Sequence, residues 1–178
     1  MTQEEALVLL RRHLKQENLV KHSIAVAACL SALADHYGED RETWALAGLL
    51  HDLDYEYTLD KPDEHTLVTE KLLAEEKLPD SIIQAIKGHN LKADHTSLLD
   101  RALYAVDPTS GFIIACALMH PQKKLAALDL AFLKKRYKEK SFAKGACREQ
   151  MASLAGDFDQ FLGICLAGMQ AASSQLGL

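Results

Sequence analysis

The sequence has 178 residues, of which 48% are apolar and 25% charged, and its formal net charge is −5. A chain of this length buries about 70% of its unfolded surface on folding, so neither a disulfide nor a structural metal is needed to hold a core. The acidic balance argues against nucleic acid as the main partner, because duplex binding requires a concentrated basic face. No apolar run reaches the roughly 20 residues of a membrane span, so no membrane partner is expected.

The four cysteines, Cys29, Cys116, Cys147 and Cys165, show no C-x-x-C spacing and stand in apolar or helical contexts. This usage is typical of free, mostly buried thiols in a reducing compartment. The first residues are polar and lead into an amphipathic helix rather than a signal sequence. We therefore expect a cytoplasmic protein.

The first third of the chain predicts three helices and a loop. Apolar residues recur at helical spacing over residues 3–16, 19–37 and 41–53. Gly38 is a natural stop for the second helix, and Asp40 can cap the third through its side-chain oxygen. Residues 54–61 are polar and lack helical periodicity, which predicts a loop.

Prolines mark the boundaries of the next two predicted helices. A helix over residues 62–77 begins at its proline and ends before Pro79. Asp80 is expected to cap the following helix, which carries apolar residues up to Gly88.

The remaining segments are also helical in pattern. A helix over 97–106 is expected to break at Pro108, and an apolar segment over 112–119 follows it. Residues 134–140 are basic, and a long helical tail begins at about Ala146. Because no segment alternates with a period of two for long, the prediction is an all-α protein.

Metal-binding side chains recur near the ends of these predicted helices. The most informative pair is His51-Asp52, which closes an apolar run and opens an acidic stretch. Helix ends can converge at one mouth of a bundle, where metal sites are commonly built. The other residues of this kind are His22, His65, His89 and Asp107.

The order His22, His51-Asp52, Asp107 resembles the H…HD…D signature of the HD-domain superfamily, a set of metal-dependent phosphohydrolases. The likeness extends through the sequence around His51-Asp52 and around Asp107, and it is strongest to small stand-alone members. The resemblance implies a single-domain helical bundle of the HD-domain type. Its expected extents are residues 1–178 for the domain, about 18–120 for the metal-site core and about 121–178 for a helical C-terminal extension.

The resemblance assigns His22, His51, Asp52 and Asp107 as ligands of one divalent metal ion. Such a mixed nitrogen and oxygen set suits Mn²⁺, Fe²⁺, Co²⁺, Ni²⁺, Zn²⁺ or Mg²⁺. The lack of a cysteine ligand argues against a structural zinc site. A divalent ion lowers the pKa of bound water from about 15.7 towards about 7 and so supplies a hydroxide nucleophile.

Further residues complete the expected catalytic set. Asp52 is expected both to hold metal and to orient the water, and Asp54 is a candidate base, although a solvated loop acid is the simpler alternative. His65 and His89 are expected to face the substrate phosphate, with surface histidines as the alternative. The basic residues expected to bind substrate are Lys61, Lys87, Arg136 and Lys144.

Dinuclear relatives such as the HD-GYP group use extra histidines to bind a second metal. That group carries adjacent histidines where this chain has His89-Asn90, and a lysine after HD-Ile-Gly where this chain has Leu53-Asp54-Tyr55. Both departures favour one metal, and a second metal is the alternative.

The resulting hypothesis is a metal-dependent phosphohydrolase that cleaves a small phosphate ester or nucleotide with a metal-activated water. Phosphomonoesterase, phosphodiesterase and nucleotide pyrophosphohydrolase activities all remain open, because the fold does not determine the substrate. One alternative is a non-catalytic metal-binding or nucleotide-binding module that acts in signalling. The other is a helical scaffold without a ligand.

Overall fold

The computed structural model describes residues 1–154 and 156–178. Over these residues the regular structure is helical and no strand forms, which confirms the predicted all-α class. The helices are α1 (Gln3–His13), α2 (Glu17–Tyr37), α3 (Arg41–Leu50), α4 (Tyr55–Thr58), α5 (Leu67–Leu72), α6 (Asp80–His89), α7 (Leu98–Met119), a 3₁₀ turn (Leu125–Ala127), α8 (Leu130–Lys138), α9 (Arg148–Met151), α10 (Phe158–Ala171) and α11 (Ser173–Leu176).

The boundary between α2 and α3 follows the predicted signals. Gly38 adopts a left-handed conformation with φ of 71°, and its N–H donates to the carbonyl of Ala34. The side chain of Asp40 accepts a 2.8 Å hydrogen bond from the N–H of Thr43, as expected of a cap. Helix α3 is shorter than predicted, because His51 is its C-cap rather than an interior residue.

Local backbone conformation corrects three predictions in the next segment. The predicted loop over 54–61 contains α4, whose first turn forms on the carbonyl of Asp54. The helix predicted over 62–77 is reduced to α5, because Thr66 adopts a positive φ of 72° directly before it. Asp80 is the first residue of α6 and makes no capping hydrogen bond, since Pro79 occupies the cap position.

Pro108 does not break a helix, in contrast to the prediction. Helix α7 runs continuously through it, so Asp107 lies in the middle of a helix rather than at its end. Proline lacks the N–H that would bond to the carbonyl four residues earlier, which is that of Tyr104. The side-chain amide of Gln150 donates to this carbonyl at 2.8 Å instead, so the freed carbonyl keeps a partner.

Helix α2 lies at the centre of the molecule and packs against α3, α7 and α10. Gly48 permits the close contact between α3 and α2, because a Cβ atom there would lie 2.6 Å from Cα of Ala27. Helix α7 is long and apolar enough to cross a membrane, but more than half of that stretch is buried in the fold, as in a core helix.

The predicted helical tail from about Ala146 corresponds to three separate helices, α9, α10 and α11. Helix α10 packs against α2 and α7, so this part of the chain joins the same apolar core. Ala155 falls within the predicted tail and lies outside the described residues.

Candidate metal centre

Three helices bring together the side chains of the predicted ligand set. Helix α2 supplies His22, the end of α3 supplies His51 and Asp52, and α7 supplies Asp107. Nε2 of His22 lies 3.0 Å from Oδ1 of Asp107 and 3.7 Å from Oδ2 of Asp52. Nε2 of His51 lies 3.4 Å from Oδ2 of Asp52 and 3.8 Å from Oδ1 of Asp107. The ligand atoms of His22, His51 and Asp107 all lie within 4.8 Å of one another, and Oδ2 of Asp52 faces the two imidazoles.

His51 carries the clearest sign that this cluster suits a cation. Its side chain is fully buried, and its Nδ1 is 2.8 Å from the carbonyl of Gly48, which can only accept, so Nδ1 carries the proton. In the neutral imidazole Nε2 is then a lone-pair acceptor, and it is buried without a hydrogen-bond partner. An unpaired buried acceptor costs free energy, and a divalent ion is a partner of the right chemistry.

His65 and His89 lie against the other oxygen of Asp52. Nε2 of His65 is 3.3 Å from Oδ1 of Asp52, and Nε2 of His89 is 3.5 Å from the same atom. His51, Asp52 and His89 form a second group whose ligand atoms all lie within 4.8 Å of one another. Asp52 therefore faces His22 and His51 with Oδ2 and faces His65 and His89 with Oδ1, while His51 belongs to both groups of closely spaced ligand atoms.

In all four histidines of the site, Nδ1 has an oxygen partner within the protein. The Nδ1–H of His89 donates to the carbonyl of Ile86 at 2.6 Å. His22 contacts Oγ of Ser110 at 3.2 Å, and this hydroxyl itself donates to the carbonyl of Asp107, so it accepts from Nδ1. Such contacts place the proton of each neutral imidazole on Nδ1 and turn Nε2 towards the centre, as in metal-bound imidazoles.

Asp54 is buried in the structure and is not a solvated loop residue. Its Oδ1 accepts a 2.7 Å hydrogen bond from Nδ1 of His65, and its Oδ2 accepts a 3.0 Å bond from the backbone N–H of Thr69. Both oxygens are thus engaged in fixing neighbouring groups. This geometry suits a residue that orients His65 better than one that accepts a proton from water.

Opposite charges dominate the electrostatics of the cluster. Burial disfavours a charged carboxylate, but the adjacent imidazoles outweigh it and hold the pKa of Asp52 and Asp107 well below the usual range. Burial also disfavours a charged imidazole, yet the facing carboxylates raise the pKa of His51 well above its ordinary value and that of His65 to about 9. The centre therefore attracts positive charge, either as protons or as a metal ion.

The predicted substrate-binding cations do not line the cavity over the metal centre. Lys61 pairs with Glu64 at 3.3 Å, and Lys87 pairs with Glu70 at 3.0 Å. Arg136 pairs with Glu139 at 2.8 Å, and its guanidinium lies over aromatic rings. Lys144 is exposed and is likewise absent from the cavity wall.

The cavity itself has a volume of about 440 Å³. Besides the histidines and aspartates, it is lined by Leu19, Tyr55, Asn90 and Gln150. Sequence reasoning missed these four residues because none stands in a motif. Tyr55 could have been predicted, because it stands only three residues after Asp52. Gln150 lies far along the chain from every predicted ligand, so no such signal pointed to it.

Comparison with known proteins identifies the family of the chain and several relatives. The sequence profile of the HD domain family matches residues 19–120, more than half of the chain. A protein of Desulfotalea psychrophila called Ribonuclease Y is 30% identical over 95 residues, and its namesake in Enterococcus faecalis is 32% identical over 94. Each match covers 53% of this chain and 18% of the relative's length. No solved structure matches the chain.

Proposed function

Since the chain belongs to the HD domain family of metal-dependent phosphohydrolases, we propose that it cleaves a small phosphate ester or nucleotide with a metal-activated water. The observation that carries this proposal is the buried, unpartnered Nε2 of His51, which faces two carboxylates and a second imidazole. An arrangement of this kind has no use in a helical scaffold, where an apolar side chain would be more stable.

The residues that would hold the ion are His22, His51, Asp107 and Oδ2 of Asp52. When bound, a divalent ion supplies a water of lowered pKa and offsets negative charge on the phosphoryl oxygens. Two imidazoles and two carboxylates leave coordination positions free for that water and for substrate.

The remaining polar side chains are proposed to act on the substrate. Asp54 fixes His65 so that Nε2 faces the cavity, where a protonated imidazole can donate a hydrogen bond to a phosphate oxygen. His89 presents Nε2 beside it, since the rings of the two histidines lie 5.3 Å apart. Their placement around Oδ1 of Asp52 keeps both at the same side of the cavity.

The same placement supports a two-metal arrangement as the second candidate. Oδ1 of Asp52, His65 and His89 would hold the second ion, and Asp52 would bridge the two. We retain one ion as the proposal, because the first cluster has four ligands and the second has two imidazoles and a shared oxygen. Metal stoichiometry on purified protein distinguishes the two arrangements.

The decisive experiment is a hydrolysis screen with Mn²⁺ and with chelator. Its substrates are a phosphomonoester, an aryl phosphodiester, nucleoside mono- and triphosphates and cyclic nucleotides. We expect turnover of at least one class that requires the metal. Metal-dependent binding of a nucleotide without turnover would instead indicate the non-catalytic module, and no metal binding at all would contradict both.

A short oligoribonucleotide belongs in the screen because the matched relatives are called Ribonuclease Y. The net charge of −5 gives no support to extended nucleic-acid binding. We therefore place single nucleotides and small esters ahead of RNA. A cytoplasmic location is part of the proposal, since free cysteines suit a reducing compartment.

A further inference from the structure

A second cavity adjoins the metal centre. It has a volume of about 380 Å³ and shares His22, Asp107 and Gln150 with the cavity that contains the two clusters. Because three wall residues are common to both, the two cavities lie side by side at the metal centre. We call it the side cavity.

One wall of the side cavity is the face of α7 that carries Asp107. Pro108 and Gly111 follow on this face, and Gly111 stands one helical turn beyond Asp107. A Cβ atom built on Gly111 would meet nothing within 4 Å. The glycine therefore leaves space open beside a predicted ligand and does not serve helix packing.

Another wall is formed by Ala143, Gly145 and Ala146, and Arg148 holds this segment in place. The guanidinium of Arg148 donates to the carbonyls of Phe142 at 2.7 Å, Ala143 at 3.3 Å and Ala146 at 2.7 Å. It also lies over the ring of Phe112, 4.8 Å from the centroid. Because these hydrogen bonds hold the carbonyls of the segment in place, this wall of the side cavity is formed before any ligand binds.

Gln150 stands where the two cavities meet, and Pro108 explains its position. The carbonyl freed by the proline accepts one side-chain N–H of Gln150, which anchors the amide at the junction. Its Oε1 makes no hydrogen bond among the described residues. The amide can therefore offer an uncharged acceptor to a ligand.

The side cavity is poorly suited to a second phosphate. No lysine or arginine is among its lining residues, and the nearby Arg148 donates its hydrogen bonds to four backbone carbonyls. Its wall is made of small side chains, glycine, proline and one carboxamide, with His22 and Asp107 at the edge towards the metal centre. Polyphosphates would meet the carboxylate of Asp107 there, and no lysine or arginine among the lining residues would offset its charge.

We propose that the side cavity binds the uncharged organic group that is attached to the scissile phosphate, and that Gly111 determines how large this group can be. The proposal rests on the proposed function, because it places the phosphate at the metal centre. It assigns the substrate to phosphate esters of a compact neutral group, such as a nucleoside or an aryl alcohol, and excludes inorganic polyphosphates.

The test measures binding of two uncleavable probes to the full chain loaded with Mn²⁺. Phenylphosphonate and methylphosphonate carry the same charged group and differ in the neutral group. By calorimetry we expect phenylphosphonate to bind at least about tenfold more tightly, equivalent to about 1.4 kcal/mol. In Gly111→Leu this preference should vanish while the affinity for methylphosphonate stays unchanged.

Gly163→Leu is the matched control. Gly163 also lies inside a long helix, α10, and a Cβ atom there also meets nothing within 4 Å. Both substitutions raise helix propensity, so neither should unfold the protein. We expect Gly163→Leu to keep the preference for phenylphosphonate.

The other outcomes separate the two proposals. Equal affinity of the unsubstituted protein for both probes, or an undiminished preference in Gly111→Leu, overturns the side-cavity assignment and leaves the phosphohydrolase proposal standing. Equal weakening of both probes by Gly111→Leu also overturns it, since the effect would then lie at the metal centre. Failure of the metal-loaded protein to bind either phosphonate counts against both proposals.

Discussion

Oδ1 of Asp54 accepts a 2.7 Å hydrogen bond from Nδ1 of His65, and this bond directs Nε2 of the imidazole towards Oδ1 of Asp52. Asp54 is fully buried, and its second oxygen holds the N–H of Thr69 at the beginning of the next helix. One carboxylate thus connects the loop after α3 to α5 and orients a histidine of the site.

Replacement of Asp54 by asparagine should therefore affect both stability and activity. The amide NH₂ would face either the Thr69 N–H or the His65 Nδ1–H, so one buried donor would lose its acceptor. We expect the free energy of unfolding to fall by about 1–3 kcal/mol, measured by urea denaturation. Asp60→Asn, an exposed position in the same segment, should change it by no more than about 0.5 kcal/mol.

Asp52→Asn should remove the bound metal and leave the fold intact. The carboxylate contacts all four histidines of the site, through Oδ2 on one side and Oδ1 on the other. Metal analysis after dialysis should show loss of the ion, and far-ultraviolet circular dichroism should stay unchanged. Asp63→Asn, at a fully exposed carboxylate, is the control. An undiminished metal content in Asp52→Asn would refute the ligand assignment.

His65→Ala should reduce turnover by roughly 100-fold and leave most of the metal bound, if a single ion occupies the His22 cluster. The reason is that Nε2 of His65 faces Oδ1 of Asp52, away from the other cluster. Metal content and kcat should be measured on the same preparation. Loss of half or more of the metal from this variant would favour the two-metal arrangement.

The metal-free protein should become less stable as the pH rises from about 6.5 to about 9. The pKa of His65 is raised from 6.5 to about 9, so its charged form stabilises the fold fully below about 6.5, and this contribution is lost as the pH passes 9. Thermal denaturation in chelator across this range measures the effect. The slope should be smaller in His65→Gln, and a rising Tm for the metal-free protein would contradict the assignment.

Cys147 should be the only cysteine that reacts with iodoacetamide in the native protein. It is exposed, whereas Cys29, Cys116 and Cys165 are buried. Burial raises the pKa of Cys116 to about 12 and that of Cys165 well above its ordinary value, which keeps both as unreactive thiols. Mass spectrometry at pH 8 should show one adduct, and Cys147→Ser should show none. Denatured protein should give four adducts.

Sequence reasoning identified the helical class and the residues that converge on the centre, because helical periodicity and metal-binding side chains are local properties of a sequence. The sequence predicted a helix end at Pro108, because the residue that donates to the carbonyl freed by this proline is not one of its neighbours in the chain. Gln150 lies 46 residues after Tyr104, whose carbonyl it satisfies. Long-range partners of this kind decide whether a proline ends a helix.

The same limitation explains why the predicted substrate-binding cations do not line the cavity over the metal centre. A lysine in a sequence has a known charge but an unknown partner, and Lys87 pairs with Glu70, 17 residues earlier in the chain. Helix α5 is shorter than predicted because Thr66 has a positive φ, and a threonine in the sequence does not predict a left-handed backbone. Propensity disfavours that conformation for threonine, so tertiary packing must impose it.

The contact of Gly48 with Ala27 has a consequence for the dimensions of the centre. Gly48 stands three residues before His51 and supplies the carbonyl that orients it, while Ala27 stands five residues after His22 on the facing helix. The absence of a Cβ atom at Gly48 thus sets the distance between the two helices, and with it the distance between the imidazoles of His22 and His51. Redesign of this protein for a larger ion would have to begin at that helix crossing, because the ligands cannot separate until the backbones do.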